Sequence, residues 1–399
     1  MINLNKIENQ IKSFITSKKM NVFAVGIFFI IIFIQTLLFT SFGRFFPSAA
    51  QILAKSETWL VFFFMIYALF IKTTWRKTIF ALIILAIAVY SQIVSGTSTP
   101  FTKLLMLLIA VPRTIPSIRT IVKTFGLAMA TTFILTIILS LLGYLPISGE
   151  TSRVPFAKYH EVVYFFGFTH PNAFGTLLTA MFMMIYFLYF KKRPKLVISA
   201  GIIVVLIDKI ITADTALVGT VLMLLLILSH SLIKWQIWKG KFSSIAAYVL
   251  PVILTLLSVW LAHHNKSALG TLINKLISSR PDVWHAYLTQ YPIKMFNVSP
   301  NIKLDGIHTI LGNGVLDGGY IYVLMNWGIV ALLLYIIMFS SLIKMSIESN
   351  NFQLYSIALV IILMSFPESH MIMFFENVFL ILFGFYQYPK NERIQLLRQ

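Results

Sequence analysis

Residues 22–40 read VFAVGIFFIIIFIQTLLFT, without one charged side chain. As a helix this run covers roughly 28 Å at about 1.5 Å per residue, close to the thickness of a bilayer's hydrocarbon core. Runs of the same kind recur along the chain, and twelve membrane spans are expected at 22–40, 58–71, 79–94, 101–112, 125–145, 173–190, 196–212, 215–232, 242–261, 320–342, 352–366 and 371–388. The composition agrees: of 399 residues, 58% are hydrophobic and 11% charged, with a mean hydropathy of +0.86. A soluble chain carries about 25% charged residues, so the apolar surplus here must face lipid. The expected fold is an all-α integral membrane protein, a polytopic bundle of about twelve helices. Residues 1–399 read as a single membrane domain with one sizeable external loop, 262–319, between spans nine and ten.

The shortest span, 101–112, covers only about 18 Å as a helix. Parity supports it. The flanking loops 72–78 (Lys72, Arg76, Lys77) and 113–124 (Arg113, Arg119, Lys123) are both basic. Both therefore belong on the cytoplasmic side, which requires an even number of crossings between them. With both termini cytoplasmic, the inner segments hold roughly twice as many Lys and Arg as the outer ones. The net charge of +19 is explained mainly by that bias and by contact with anionic lipid. Residues 1–19 put Ile7, Ile11, Phe14 and Ile15 on one helical face. That pattern reads as a helix on the inner membrane surface, not a cleaved signal peptide.

Two external loops carry most of the remaining chemistry. Loop 146–172 contains Arg153, Lys158, His160, Glu161 and His170; loop 262–319 contains Arg280, Asp282, Trp284, His285, Asp305, His308 and Asp317. The longer loop has apolar residues at helical spacing, so short helices over the membrane face are expected. Arg280 offers a planar fork of donors that fits phosphate oxygens, or a lipid headgroup. Pro281 suits a first helical turn, and Asp282 suits the positive end of that helix. His308 is a candidate base or an exposed histidine. Asp317 is a candidate cap of the span at 320 or a catalytic carboxylate. Asn172 reads as the N-cap of the span at 173, with His170 facing the outside. Asp208 and Lys209, at the outer end of the seventh span, cannot share a helix face. Glu368 and His370, in the turn before the last span, add to the same external side. With no cysteine and no His, Asp or Glu set at ligand spacing, no metal site is expected, and no nucleotide-binding glycine loop is present.

The segment Ser279-Arg280-Pro281-Asp282-Val283-Trp284 is followed by Leu311-Gly312-Asn313-Gly314, by Leu316-Asp317-Gly318-Gly319-Tyr320 and by Gly328-Ile329-Val330. Together these resemble the C-terminal half of Wzy-type polysaccharide polymerases, in the O-antigen ligase-like superfamily. Phe168-Thr169-His170-Pro171-Asn172-Ala173-Phe174-Gly175 resembles a motif which that family carries after its first large external loop. One departure is visible: where relatives carry a Ser-Arg-Thr-like motif, this chain reads Thr212-Ala213-Asp214-Thr215. Arg153 is then the candidate for a second phosphate-binding arginine.

The resemblance implies a metal-independent, inverting glycosyltransferase without cofactor, acting on the outer face of a bacterial plasma membrane. Its substrate would be a polyprenyl-diphosphate-linked oligosaccharide, its partners membrane lipid, a chain-length regulator and a flippase, with no nucleic acid. Arg280 and Arg153 would hold the diphosphate, and His308, Asp305 or Glu161 would accept the proton of the attacking hydroxyl. Asp317 and His170 would line the substrate site, with Trp284 and Tyr287 stacking on sugars or simply packing. A polysaccharide ligase and a lipid-linked oligosaccharide flippase are the competing expectations. A flippase should show two similar halves, whereas this chain concentrates its polar residues in one late loop.

Overall fold

A computed structural model describes residues 18–71, 73–96, 99–151, 161–232, 237, 240–296 and 316–398. The chain is an all-α membrane protein. Among the described residues, seven helices are long and apolar enough to cross a bilayer. Large apolar side chains such as Ile52, Phe63, Phe70, Leu206 and Ile210 stand exposed on the flanks of the bundle, as lipid contact requires.

The helices run α1 (Lys18–Leu38), α2 (Phe42–Phe45), α3 (Pro47–Phe70), α4 (Trp75–Ser95), α5 (Pro100–Thr114) and α6 (Ile118–Leu141). After a short hairpin come α7 (Pro171–Tyr189), α8 (Pro194–Ile210), α9 (Asp214–Leu232), α10 (Lys241–His263), α11 (Ala268–Leu276) and α12 (Arg280–Gln290). The last third holds α13 (Gly319–Trp327), α14 (Ile329–Glu348), α15 (Phe352–Met364), two 3-10 turns and α16 (Lys390–Arg398).

Cross-links define two ends of the bundle. At one end Ser41 Oγ donates to the Phe168 carbonyl at 2.8 Å, Thr36 Oγ1 to that of Phe375 at 3.4 Å, and Arg280 pairs with Glu368. At the other, Arg113 Nε donates to Gln387 at 2.9 Å, Lys77 lies over the Tyr388 ring, and Arg393 pairs with Glu348. The residues of loops 146–172 and 262–319 joined by these contacts lie at the first end, and this set of basic residues at the second.

Three of the expected spans change. Helix α3 begins eleven residues before the expected span at 58, with Pro47 in its first turn. In the described part of loop 146–172, β1 (Ser148–Thr151) pairs antiparallel with β2 (Glu161–Tyr164). The span expected at 320–342 is broken at Gly328, whose φ is 91°. At the break, the Ile329 and Val330 amides donate to the Lys294 and Met295 carbonyls at 3.0 and 3.1 Å. A Cβ at Gly328 would stand 2.6 Å from the Met295 carbonyl oxygen, so only glycine lets that extended segment satisfy the freed amides.

The last expected span, 371–388, is not α-helical. Its body, Val378–Gln387, is a 3-10 helix. Such a helix rises about 2.0 Å per residue against 1.5 Å, so ten residues reach further, and it is also slimmer. It packs against α5. Pro112 leaves the Leu108 carbonyl without its helical donor, and Gly384 sits so close that a Cβ would lie 2.2 Å from that oxygen. Helix α5 itself is short because it is interior: almost every residue from Phe101 to Thr114 is buried. Lys103, in its first turn, is buried there, paired with Glu57 and donating to Gln35 at 3.2 Å.

Candidate functional site

The site is built from three turns at one end of the bundle. Ser267 caps α11, accepting from the Gly270 amide at 3.0 Å. Between α11 and α12, Ser278 and Ser279 both have positive φ, 55° and 62°. That conformation costs a non-glycine residue about 1 kcal/mol or more and persists only where the surroundings impose it. Here the Ser279 amide donates to the Asn274 carbonyl at 2.7 Å. Asp282 completes the clamp, accepting from Asn265 and Asn274 side-chain amides at 2.7 Å each. Asp282 thus ties the two helices together as well as sitting in the first turn of α12.

This clamp fixes Arg280 as the first residue of α12, only 9% exposed. Its Nη2 donates to Glu368 Oε2 at 2.9 Å and to Asp317 Oδ2 at 3.5 Å, and its Nη1 donates to the Ile277 carbonyl at 3.1 Å. Its buried Nε has no partner among the described residues. Asp317 also accepts from Ser369 Oγ at 3.3 Å. Asp317 does not cap the following helix, contrary to one expectation. The α13 amide of Gly319 instead donates to the Ser365 and Glu368 carbonyls, so the turn carrying Glu368 does the capping.

Glu368 is 1% exposed and accepts weakly from Asn172 Nδ2 at 3.5 Å. His370 Nε2 lies 3.6 Å from its other oxygen. His370 Nδ1 faces both oxygens of Glu376 at 3.1 Å, and its ring meets the edge of Phe39. The result is a chain of alternating charge, Arg280–Glu368–His370–Glu376, with Asp317 at its more open side. Burial alone would lower His370, but Glu376, with help from Glu368 and Asp317, raises it to about 9. Burial and the neighbouring Glu368 push the Asp317 carboxyl up, against the pull of Arg280. The cluster thus sets Arg280 and His370 among three carboxyls, those of Glu368, Glu376 and Asp317.

His170, not Asn172, is the N-cap of α7: its Nδ1 accepts from the Asn172 amide at 3.2 Å. Pro171 at the first helical position explains the shift by two residues. His170 sits at the exposed rim of the cluster. Partial removal from water holds its imidazole below the usual range, the nearby Asp317 pulling the other way. Accepting through Nδ1 leaves its proton on Nε2.

Of the residues expected to act, the structure therefore gathers Arg280, Asp317 and His170. Trp284 is also adjacent but fully buried. Its Nε1 donates to the Asp317 carbonyl at 2.5 Å and its ring closes on Gly318, where a Cβ would stand 2.6 Å away. It shapes the Asp317 turn and presents no free face to a sugar; Tyr287 is buried beside it. Arg153, Asp305 and His308 lie outside the described residues, and of Glu161 only the backbone, in β2, is described. Glu376 was hidden inside an apolar run read as a span. Its signal is scarcity: the chain has 13 acidic residues, and one placed amid apolar neighbours needs a partner.

Among the described residues no group of His, Asp and Glu is arranged to hold a metal ion. What the cluster offers is a fixed guanidinium, a carboxyl whose proton is held more tightly than usual, and a charged imidazole in a low-dielectric setting. The sequence matches no family model, and no match was found among curated proteins or solved structures.

Proposed function

We propose that this chain is a Wzy-type polysaccharide polymerase: a glycosyltransferase that joins polyprenyl-diphosphate-linked oligosaccharide units on the outer face of a bacterial plasma membrane. The observation that carries the reading is the Arg280–Glu368–Asp317 cluster, a fixed cation flanked by carboxyls at one end of a membrane bundle. In this proposal the chain crosses the membrane twelve times with both termini cytoplasmic. The basic side chains gathered at the end opposite the cluster, including Lys77, Arg113 and Arg393, support that orientation.

A sugar hydroxyl of the incoming unit attacks the anomeric carbon of the growing chain. The bond to the lipid diphosphate breaks with inversion, and the departing oxygens gain negative charge. Arg280 stabilises that charge, exchanging its long contact to Asp317 for a phosphate oxygen. Asp317 acts in its ionised form, taking the proton of the attacking hydroxyl, so turnover should rise with pH as the Asp317 carboxyl loses its own proton. Arg153 and His308 are assigned to the same reaction as second phosphate ligand and alternative base. No metal takes part.

A strain lacking the gene, complemented with Arg280→Ala, tests this. The expected outcome is normal membrane insertion, loss of long-chain glycan, and single repeat units still reaching the surface. Repeat units accumulating on the cytoplasmic side would instead identify a flippase.

A further inference from the structure

Helix α11 has three faces. At about 100° per residue, Gly270, Ile273 and Asn274 share one third of its circumference, Leu269, Leu272 and Leu276 a second, and Ala268, Thr271 and Lys275 the last. The first face is held by protein. A Cβ on Gly270 would lie 2.0 Å from the His264 carbonyl oxygen, Ile273 packs on the core formed by Trp284, Tyr287 and Met325, and Asn274 binds Asp282. The third face is small or polar and exposed. The second is wholly apolar and open: Leu269, Leu272 and Leu276 are 50%, 56% and 73% exposed.

A short helix divided among protein, apolar surroundings and water fits one environment, the membrane interface. The chain leading into it supports the same occupant. Helix α10 exposes Ile253, Leu256 and Trp260 along its length, and Trp260 stacks on His264 at 4.8 Å where the helix ends, an aromatic pair suited to headgroup depth. Lys275, exposed on the third face, and Lys266, 85% exposed at its side chain and 3.7 Å from Asp282, add positive charge of the kind that anionic headgroups attract.

We propose that α11 lies in the bilayer surface with Leu269, Leu272 and Leu276 in the acyl layer, so that the lipid phase holds Arg280 at the depth of the phospholipid phosphates. The mechanical link is direct. The carbonyls of Asn274 and Ile277 bind the Ser279 amide and the Arg280 guanidinium, so the depth of α11 sets the depth of Arg280. The site then opens at the level where an amphiphile keeps its polar head. This goes beyond the polymerase reading and stands or falls without it.

The chain has no cysteine, so single cysteines can be placed and nitroxide-labelled in the full-length protein, reconstituted in phosphatidylcholine–phosphatidylglycerol bilayers. Labels at Leu272→Cys and Leu276→Cys should collide preferentially with oxygen, like a reference at Leu256→Cys on α10. A label at Thr271→Cys should collide preferentially with an aqueous nickel chelate. Equal nickel access at Leu272, Leu276 and Thr271 would overturn the proposal. So would screening of both leucine positions from both reagents, as under a second protein copy.

Discussion

Replacing Glu376 by glutamine removes one negative charge from the chain of ions and little else. Glu376 is 1% exposed, and both its oxygens lie 3.1 Å from His370 Nδ1; glutamine keeps the shape and one acceptor. His370 is raised from 6.5 to about 9. At about 1.4 kcal/mol per unit, that corresponds to about 3 kcal/mol favouring the folded, charged state. Because the folded value is the higher one, this contribution is complete below pH 6.5 and is lost as pH climbs through 9. Asp317 adds a separate decline at lower pH. Its carboxyl is raised, so its ionised form is disfavoured in the fold, and stability falls as pH rises from its unfolded value.

Thermal unfolding in detergent, followed through tryptophan emission at several pH values, separates the two. The unmodified protein should weaken progressively from pH 6.5 to 9. Glu376→Gln should be less stable at pH 6, by about 3 kcal/mol at most, with more than half of the pH 6.5–9 slope gone. If Glu376→Gln kept the full slope above pH 6.5, or if the unmodified protein showed none, Glu376 would not be what holds His370 charged.

Further substitutions probe the rest of the frame. Arg280→Ala leaves Glu368 and Asp317 without their cation and should cost about 3–5 kcal/mol, whereas Arg280→Lys keeps the charge and should lose less stability while losing the two-pronged geometry; detergent melting curves compare them. Lys103→Met alone should destabilise by a similar 3–5 kcal/mol through stranding Glu57, and the double change with Glu57→Gln should recover most of it, a double-mutant cycle being the measurement. Gly175→Ala would bring a Cβ 2.6 Å from Ala213 Cβ and 2.9 Å from Asp208 Oδ1, so α7 must shift from α8 and α9 at about 1–3 kcal/mol in the same melting assay.

Much of the membrane pattern was legible because lipid imposes a blunt rule: long apolar runs must be helical. Arg280, Asp317 and His170 could be singled out because charge is so scarce in this chain. Their meeting could not be read from spacing, since it depends on the turn at Glu368 folding back onto the start of α13. The break at Gly328 was hidden for the same reason. Gly328-Ile329-Val330 reads as continuous helix until the Lys294–Met295 segment arrives from more than thirty residues away. The capping of α7 was a nearer miss, because Pro171 already marks the first helical position and makes its predecessor the cap. The 3-10 form of Val378–Gln387 depends on contact with α5, and no local pattern encodes it.

The polymerase reading rests on Arg280 stabilising a departing lipid diphosphate, and reconstitution tests that most directly. The purified protein in liposomes, given polyprenyl-diphosphate-linked repeat units and a metal chelator, should produce a ladder of longer lipid-linked glycans and release polyprenyl diphosphate. Arg280→Lys, inserted to the same level, should slow both together. Transfer of intact repeat units across the bilayer without any ladder would contradict the account.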